Sequence, residues 1–310
     1  SRSFSRNSSE IHQGKRMKES NLEKKKVQVS VLIPCKNEEG NLPRCLAGVA
    51  WADEVFVVDS QSEDNTVGIA EKAGAKVVQF EYTGGWPKKK NWALETLPFS
   101  NEWVLIVDAD EVMPAETEEE IRKIVSGSGQ THSGYWINRR YFFLGKPLRH
   151  AYFPNWNLRL FKHQLGRYEK LTDECTGSGD HEIHEHVVVK GTTGRLHSIM
   201  DHHAFPTIES FVEKHNRYSN WEATVEHASG TDPLELQHER VRTRRFLKHL
   251  FRKMPFRPTL RFLYVYLFQM GFLDGWEGYV FARLHGQYEF LSLAKARAYA
   301  AKRKTNSGSS

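Results

Sequence analysis

In Asp108-Ala109-Asp110-Glu111 two aspartates stand two residues apart, so in an extended segment both side chains face the same way and can bind one hard divalent cation. Such a cation can hold a diphosphate. Short Asp-x-Asp motifs also recur by chance as helix caps and solvated turns, but the context here favours the ion site. Trp103-Val104-Leu105-Ile106-Val107 reads as a nearly continuous apolar strand running straight into the pair, and Val57-Val58 runs likewise into Asp59. Ligands of parallel sheets bind at the carboxyl ends of strands, where these aspartates would lie. A second stretch, Lys88-Lys89-Lys90, offers Lys90 as a phosphate or nucleobase contact, with a solvated cationic helix face as the plain alternative. A third, Asp180-His181-Glu182-Ile183-His184-Glu185-His186, is dense in histidine and carboxylate. It lacks His-Glu-x-x-His, and as a strand it puts His184 and His186 on one face and Glu185 on the other. A zinc-hydrolase site is therefore not expected, and a polar edge strand is the plain reading.

Strands and short helices alternate around these residues. Val27 to Pro34 reads as a buried strand, Cys35 to Gly40 as a loop, Asn41 as the cap of a helix to about Val49, and Glu54 to Val58 as a second strand. Asp64 or Ser62 caps a helix from about Thr66 to Ala73, Gly74 stops it, and Lys76 to Phe80 is a third strand. Lys89 to Leu97 and Glu116 to Val125 complete the helices of this half. The order predicts an α/β fold with a parallel sheet and right-handed crossovers. Beyond the Ser126–Gln130 turn the pattern is less regular, and from Ile208 it becomes helical, with Phe211, His215 and Tyr218 at helical spacing.

The chain of 310 residues carries a formal charge of +6, which admits a nucleic acid, an anionic membrane surface or a diphosphate as partner without choosing among them. Cys35, Cys45 and Cys175 fit neither a disulfide framework nor a zinc site, which points to a reducing cytoplasm and to small core residues. Residues 1–26 lack an apolar core of a signal peptide and read as a disordered tail. The apolar stretch Leu260 to Leu273 is interrupted by Arg261 and Gln269, and it falls short of the roughly 20 residues a spanning helix needs.

Val31-Leu32-Ile33-Pro34-Cys35-Lys36-Asn37-Glu38, Val57-Val58-Asp59-Ser60 with Asp64-Asn65-Thr66, Lys90-Asn91 and Asp108-Ala109-Asp110-Glu111 together resemble the family 2 glycosyltransferases in order and spacing. His184-Glu185, the His202/His203 pair before Lys214-His215-Asn216-Arg217-Tyr218, and Gly271-Phe272-Leu273-Asp274-Gly275 are similar to its bacterial lipopolysaccharide-core glucosyltransferase branch. The resemblance implies a GT-A fold, a mostly parallel sheet with helices on both faces, and inverting transfer of a sugar, a hexose in that branch, from a UDP-sugar. By the same resemblance Pro34 and Asp59 would hold base and ribose with Glu38 nearby, and Asp108 and Asp110 would bind Mn2+ or Mg2+ and the diphosphate. His202, slightly ahead of His203, would add a metal ligand. Transfer to a hydroxyl needs a base; Glu185 is the candidate, with Asp173, Glu174, Asp180 and Glu182 as rivals. The branch usually has a bulky polar residue where Lys89 stands.

The expected organisation is a nucleotide-sugar-binding and catalytic domain over 27–205, a helical extension over 206–300 and a second tail over 301–310. Basic residues from Arg240 to Arg261 are interleaved with Phe246, Phe251 and Phe256, which suits an anionic lipid surface or an ordinary solvated face. Pro258 opens a helix whose apolar residues cover most of its circumference, and such a helix must be buried in protein or lipid. A lipid-linked or oligosaccharide acceptor, met at the cytoplasmic face of a membrane, would account for both features. Nucleic acid is not the expected partner: acidic strand ends repel phosphates unless a metal intervenes, and no RNP, zinc-finger or P-loop pattern is present. A nucleotidyltransferase would also use paired carboxylates and a metal, but its loop after the first strand is typically Gly-rich, and here Pro34 to Gly40 holds a single glycine.

Overall fold

The computed structural model of the chain describes residues 25–127, 132–170, 186–228 and 256–307. Its centre is β1 (Val27–Cys35), whose run of Val, Leu and Ile is almost wholly buried because it lies between β2 (Ala52–Asp59) and β4 (Trp103–Ile106), parallel to both. Leu32 is opposite Phe56 on one side and Ile106 on the other, and Cys35 is opposite Asp59, so the three strands end at one edge. β3 (Lys76–Gln79) extends the parallel part beside β2. Side chains alternate across the sheet. Val31, Ile33 and Leu105 pack with Leu42 and Cys45 of α1 (Leu42–Gly48), Ala70 of α2 (Thr66–Lys72) and Ile121 of α4 (Glu116–Val125). Leu32 and Ile106 pack on the other face with Ala93 and Leu94 of α3 (Lys89–Thr96). Helices therefore cover both faces, as the α/β reading expected.

Past α4 the sheet becomes mixed. Among the described residues its order is β3-β2-β1-β4-β8-β6-β11-β5, with β7 (Lys146–Pro147) on β6. β8 (Trp156–Lys162) is antiparallel to both β4 and β6 (Gly134–Phe143), while β11 (Thr193–Phe205) runs parallel to β6 and antiparallel to the short β5 (Glu111–Val112). A separate pair joins β9 (Gly166–Tyr168) to β10 (Val187–Val189).

Local details differ from the capping expected of the sequence. The Asn41 side chain makes no cap bond to α1; its Nδ2 donates to Glu38 Oε2 at 2.8 Å. Asp64 accepts from the Thr66 and Glu39 backbone N–H groups and ties the two loops together, whereas Ser62 turns to Asp59. The helix opened by Pro258 runs through Phe268 as expected but changes pitch on the way. α6 (Arg257–Leu263) continues into a π-helical turn at Tyr264–Phe268, Met270 adopts a left-handed φ of 53°, and a 3-10 turn at Gly271–Asp274 leads into α7 (Gly275–Ser307).

The C-terminal helices dock through a third cluster in which Phe143, Ala204 and Phe205 of the sheet meet Phe211 of α5 (Ile208–Ala228), Val265 and Phe281. His215 belongs to this apolar site, stacked 3.7 Å from the Phe211 ring and hydrogen-bonded through Nδ1 to the Phe211 carbonyl at 2.9 Å. Burial lowers its pKa to about 4, the bond to Phe211 offsetting only part of the shift, and burial holds His285 well below the usual range as well. The unfolded chain takes up these protons first, near pH 6.5, so stability falls as pH drops from there towards about 4. Asp108 and Asp110, held low as described below, add to the loss only under about pH 4. The His215 contribution alone is expected to lower the unfolding free energy by about 2 kcal/mol between pH 6.5 and 5. Urea denaturation at the two pH values checks it, and equal midpoints would contradict a neutral, buried His215.

Candidate active site

The strand ends of β1, β2 and β4 deliver Pro34, Asp59 and Asp108 to one edge of the sheet. The Asp-x-Asp segment does not continue β4 as an extended strand. It is a turn closed by the Glu111 N–H donating to the Asp108 carbonyl at 2.8 Å and by the Asp108 N–H donating to Glu111 Oε2 at 2.9 Å. The two aspartates consequently meet different partners instead of sharing one direction. Asp108 Oδ1 is 2.9 Å from Lys90 Nζ, and Oδ2 is 2.6 Å from Arg159 Nη2. Asp110 Oδ1 is 3.2 Å from His202 Nε2, and Oδ2 is 3.2 Å from Lys214 Nζ. β5 explains the second contact, because its antiparallel register sets Glu111 opposite His202, and the His203 N–H donates to the Asp110 carbonyl at 2.8 Å. The His203 ring itself lies 4.4 Å from that of Phe142, so of the two histidines His202 is the one whose ring reaches Asp110.

A buried charge network supports this turn. Arg159 Nη2 also lies 2.6 Å from Glu111 Oε1, Arg139 Nη1 lies 3.1 Å from the same oxygen, and Arg139 Nη2 donates to the Tyr141 hydroxyl at 2.8 Å. Burial alone would raise the Asp108 carboxyl, but Arg159 and Lys90 outweigh it and hold Asp108 well below the usual carboxylate range. Burial is likewise outweighed at Asp110, by His202 and Lys214. At Glu38 burial wins, and the Asp110 charge adds to it, so that carboxyl is raised. Asp108 and Asp110 are thus held ionised by the cations around them, while Glu38 takes up a proton more readily than an exposed glutamate does.

The remaining predicted residues are placed as follows. Asp59 is fully buried; Ser62 donates to it from both backbone N–H and hydroxyl, and Gln79 Nε2 donates at 3.1 Å. A ligand reaches Asp59 only if the turn at Ser62 opens. Lys90 is half-buried on α3, but its neighbours are not solvated: Lys88 and Lys89 are both buried, and Lys89 Nζ donates to the Cys35 carbonyl at 2.9 Å beneath the first loop. Asn91 packs, exchanging two hydrogen bonds with the backbone of Tyr168. Cys35 and Cys45 are free thiols in the core. Glu185 with its rivals Asp173, Glu174, Asp180 and Glu182, as well as His184, Cys175 and the basic run from Arg240 to Lys253, lies outside the described residues.

Arg159 and Arg139 belong to the site and were not singled out from sequence, while Glu111 and Lys214 stand in motifs read from sequence but were given no role of their own. Arg159 left a signal, an arginine between Leu158 and Leu160 in a strand of buried residues, where an unpaired charge would be costly. Among the described residues no group of three or more His, Cys, Asp or Glu side chains is arranged to hold a metal ion. Asp110 Oδ1 and His202 Nε2, 3.2 Å apart, nevertheless have about the separation of neighbouring donors around an ion bound at about 2.1 Å. Two protein donors fit a Mg2+-type ion that takes its other ligands from a diphosphate and water. Asp108, with both oxygens on cationic side chains, is the poorer donor.

The sequence model of the family described as Glycosyl transferase family 2 matches residues 30–179. The lipopolysaccharide core biosynthesis glycosyltransferase LpsC of Rhizobium meliloti is 27% identical to this chain over 87% of it and 92% of LpsC. The uncharacterized glycosyltransferase RC0292 of Rickettsia conorii is 34% identical over 63% of this chain and 69% of its own. Among solved structures, S. aureus TarS 1-349 is 17% identical, with 85% of this chain and 91% of that one covered at a TM-score of 0.37. Glucosyl-3-phosphoglycerate synthase from Mycobacterium tuberculosis with Mg2+ and UDP is 18% identical, with 44% and 57% covered at a TM-score of 0.30, so the chain spans little more than half of that synthase. At these scores neither structural likeness bears on substrate.

Proposed function

Because the chain belongs to glycosyltransferase family 2, we propose that it moves a hexose from a UDP-sugar, with inversion, to a hydroxyl of a glycolipid or a lipopolysaccharide or polysaccharide precursor. The observation that carries the reading is Asp110, buried in the turn that follows β4 and held between His202 and Lys214. Asp110 and His202 would hold Mn2+ or Mg2+, which when bound supplies positive charge to the leaving diphosphate. Asp108, kept ionised by Lys90 and Arg159, would accept from the ribose hydroxyls, and Lys90 would turn from its carboxylate to a phosphate oxygen of the diphosphate. Pro34 and Glu38 would flank the base. Once the Ser62 turn opens, Asp59 would accept from the N3–H of uracil, a donor that cytosine lacks.

In the displacement the acceptor oxygen bonds to the anomeric carbon as the bond from that carbon to the diphosphate oxygen breaks. The bond electrons leave on the nucleotide, and the acceptor proton passes to a carboxylate, for which Glu185 is proposed. The recorded role of LpsC in lipopolysaccharide core biosynthesis supports a lipid-linked acceptor. No helix among the described residues is long and apolar enough to cross a membrane, and the reading places the enzyme peripherally on the cytoplasmic face of an anionic bilayer.

Transfer of labelled sugar from a panel of UDP-sugars to lipid-linked and soluble saccharides tests the proposal. Glu185→Gln is expected to keep donor affinity while losing about 10²–10⁴-fold in transfer rate. Loss of donor affinity together with transfer would assign Glu185 a structural role instead.

A further inference from the structure

Large apolar side chains stand in solvent on one short part of the chain: Phe268 is 80% exposed, Trp276 67% and Leu273 55%, with Leu267, Met270 and Phe272 about half exposed beside them. Such a concentration is unusual for a surface facing only water. We propose that Tyr264–Trp276 is a wedge that inserts these side chains into the boundary between headgroups and acyl chains of a bilayer containing anionic lipid. The inference rests on the lipid-linked acceptor proposed above and names the part of the fold that would bring the enzyme to it.

The exposure is built into the backbone. A Cβ added to Gly278 would collide with the Gly271 carbonyl oxygen, and one added to Gly271 would lie 2.7 Å from that of Val265, so the turn closes on itself through backbone contacts. Asp274, on the inner side, accepts from the backbone N–H groups of Arg149, His150 and Ala151 at 2.9, 3.1 and 2.7 Å. With Met270 left-handed and Gly275 at a φ of 67°, Phe268, Leu273 and Trp276 are held outward.

The chemistry of the patch favours lipid as its occupant. Its aliphatic and phenyl groups are accompanied by Trp276, Tyr264 and Tyr279, the side chains that settle at the polar margin of a bilayer. Arg149 is exposed on the strap that Asp274 holds. In sequence, seven Lys or Arg residues and no acid lie from Arg240 to Lys253. Apolar insertion together with a polybasic segment of the same chain is the pairing that gives stable peripheral binding to anionic lipid. The wedge is also tied to the catalytic edge. The strap it holds ends at Tyr152, whose ring is 6.1 Å from that of Tyr141, and the Tyr141 ring is 4.8 Å from that of His202.

The test is sedimentation of the full chain with phosphatidylcholine vesicles, with and without phosphatidylglycerol, for the wild type and for the double variant Phe268→Ser/Leu273→Ser. Both replaced side chains are exposed and neither is assigned to the donor site, so UDP binding by the variant serves as the control for folding. The wild type is expected to pellet with the anionic vesicles, and the variant to bind them at least about tenfold more weakly with UDP affinity unchanged. Equal vesicle binding by both proteins, or none by the wild type, would overturn the wedge. A concentration-dependent dimer abolished by the variant, without vesicle binding, would also overturn it in favour of a second copy on the patch. If neither protein binds UDP but only the wild type binds vesicles, the wedge stands and the donor assignment falls.

Discussion

Asp110→Asn is expected to lower sugar transfer by about 10²–10³-fold, the scale on which a single group that stabilises developing charge contributes. The amide keeps the shape of the side chain and can still bond to its neighbours, so the fold should survive. Alanine would leave Lys214, 3.2 Å away and mostly buried, facing an empty space. What asparagine removes is the charge, and with it the anionic donor of the proposed pair with His202. Adding excess manganese should recover part of the transfer if the loss is one of cation affinity. Steady-state turnover of the variant across a manganese series checks this; wild-type turnover would remove Asp110 from the metal site.

Arg159→Leu is expected to cost about 3–5 kcal/mol of stability, the range seen when one partner of a buried ion pair is removed and the other stays. Arg159 bridges Asp108 and Glu111 through one nitrogen at 2.6 Å to each, and Glu111 is completely buried. Leucine fills similar space but leaves two carboxylates to Lys90 and Arg139 alone. Adding Glu111→Gln should return a sizeable part of the loss, because the uncompensated charge is then gone. Guanidinium unfolding of the single and double variants measures both effects. An unchanged free energy for Arg159→Leu would mean that the Asp-x-Asp turn does not depend on the bridge.

The half of the fold that the sequence discloses is the half made by local pattern. β1, β2 and β4 are short apolar runs ending in punctuation, and α4 spans Glu116–Val125 as expected because its acidic start and its buried Thr117 and Ile121 lie within one segment. The strand-end positions of Asp59 and Asp108 follow from the same runs. Contacts between distant segments carry no such mark: Arg159 reaches Asp108 across 51 residues, and Lys214 reaches Asp110 across 104. Antiparallel β8 was hidden for the same reason, since its choice of neighbours depends on the whole sheet. Composition misleads where tertiary structure overrides it. Lys88 and Lys89 look solvated in sequence and are buried, Lys89 because its ammonium satisfies the Cys35 carbonyl. The helix after Pro258 is legible through Phe268, but periodicity cannot register its change to π pitch at Tyr264 or the left-handed Met270 that follows its end.

The central claim is a UDP site completed by a divalent cation, and calorimetric titration of the full chain with UDP, GDP and CMP, each with and without manganese, addresses it directly. With Asp110 and His202 as the protein donors proposed among the described residues, manganese alone should bind weakly, and UDP and manganese should strengthen each other's binding. Binding of UDP in preference to GDP and CMP, dependent on manganese, is the expected result. Equal binding of UDP with and without the ion, or no binding of any of the three nucleotides, would contradict it.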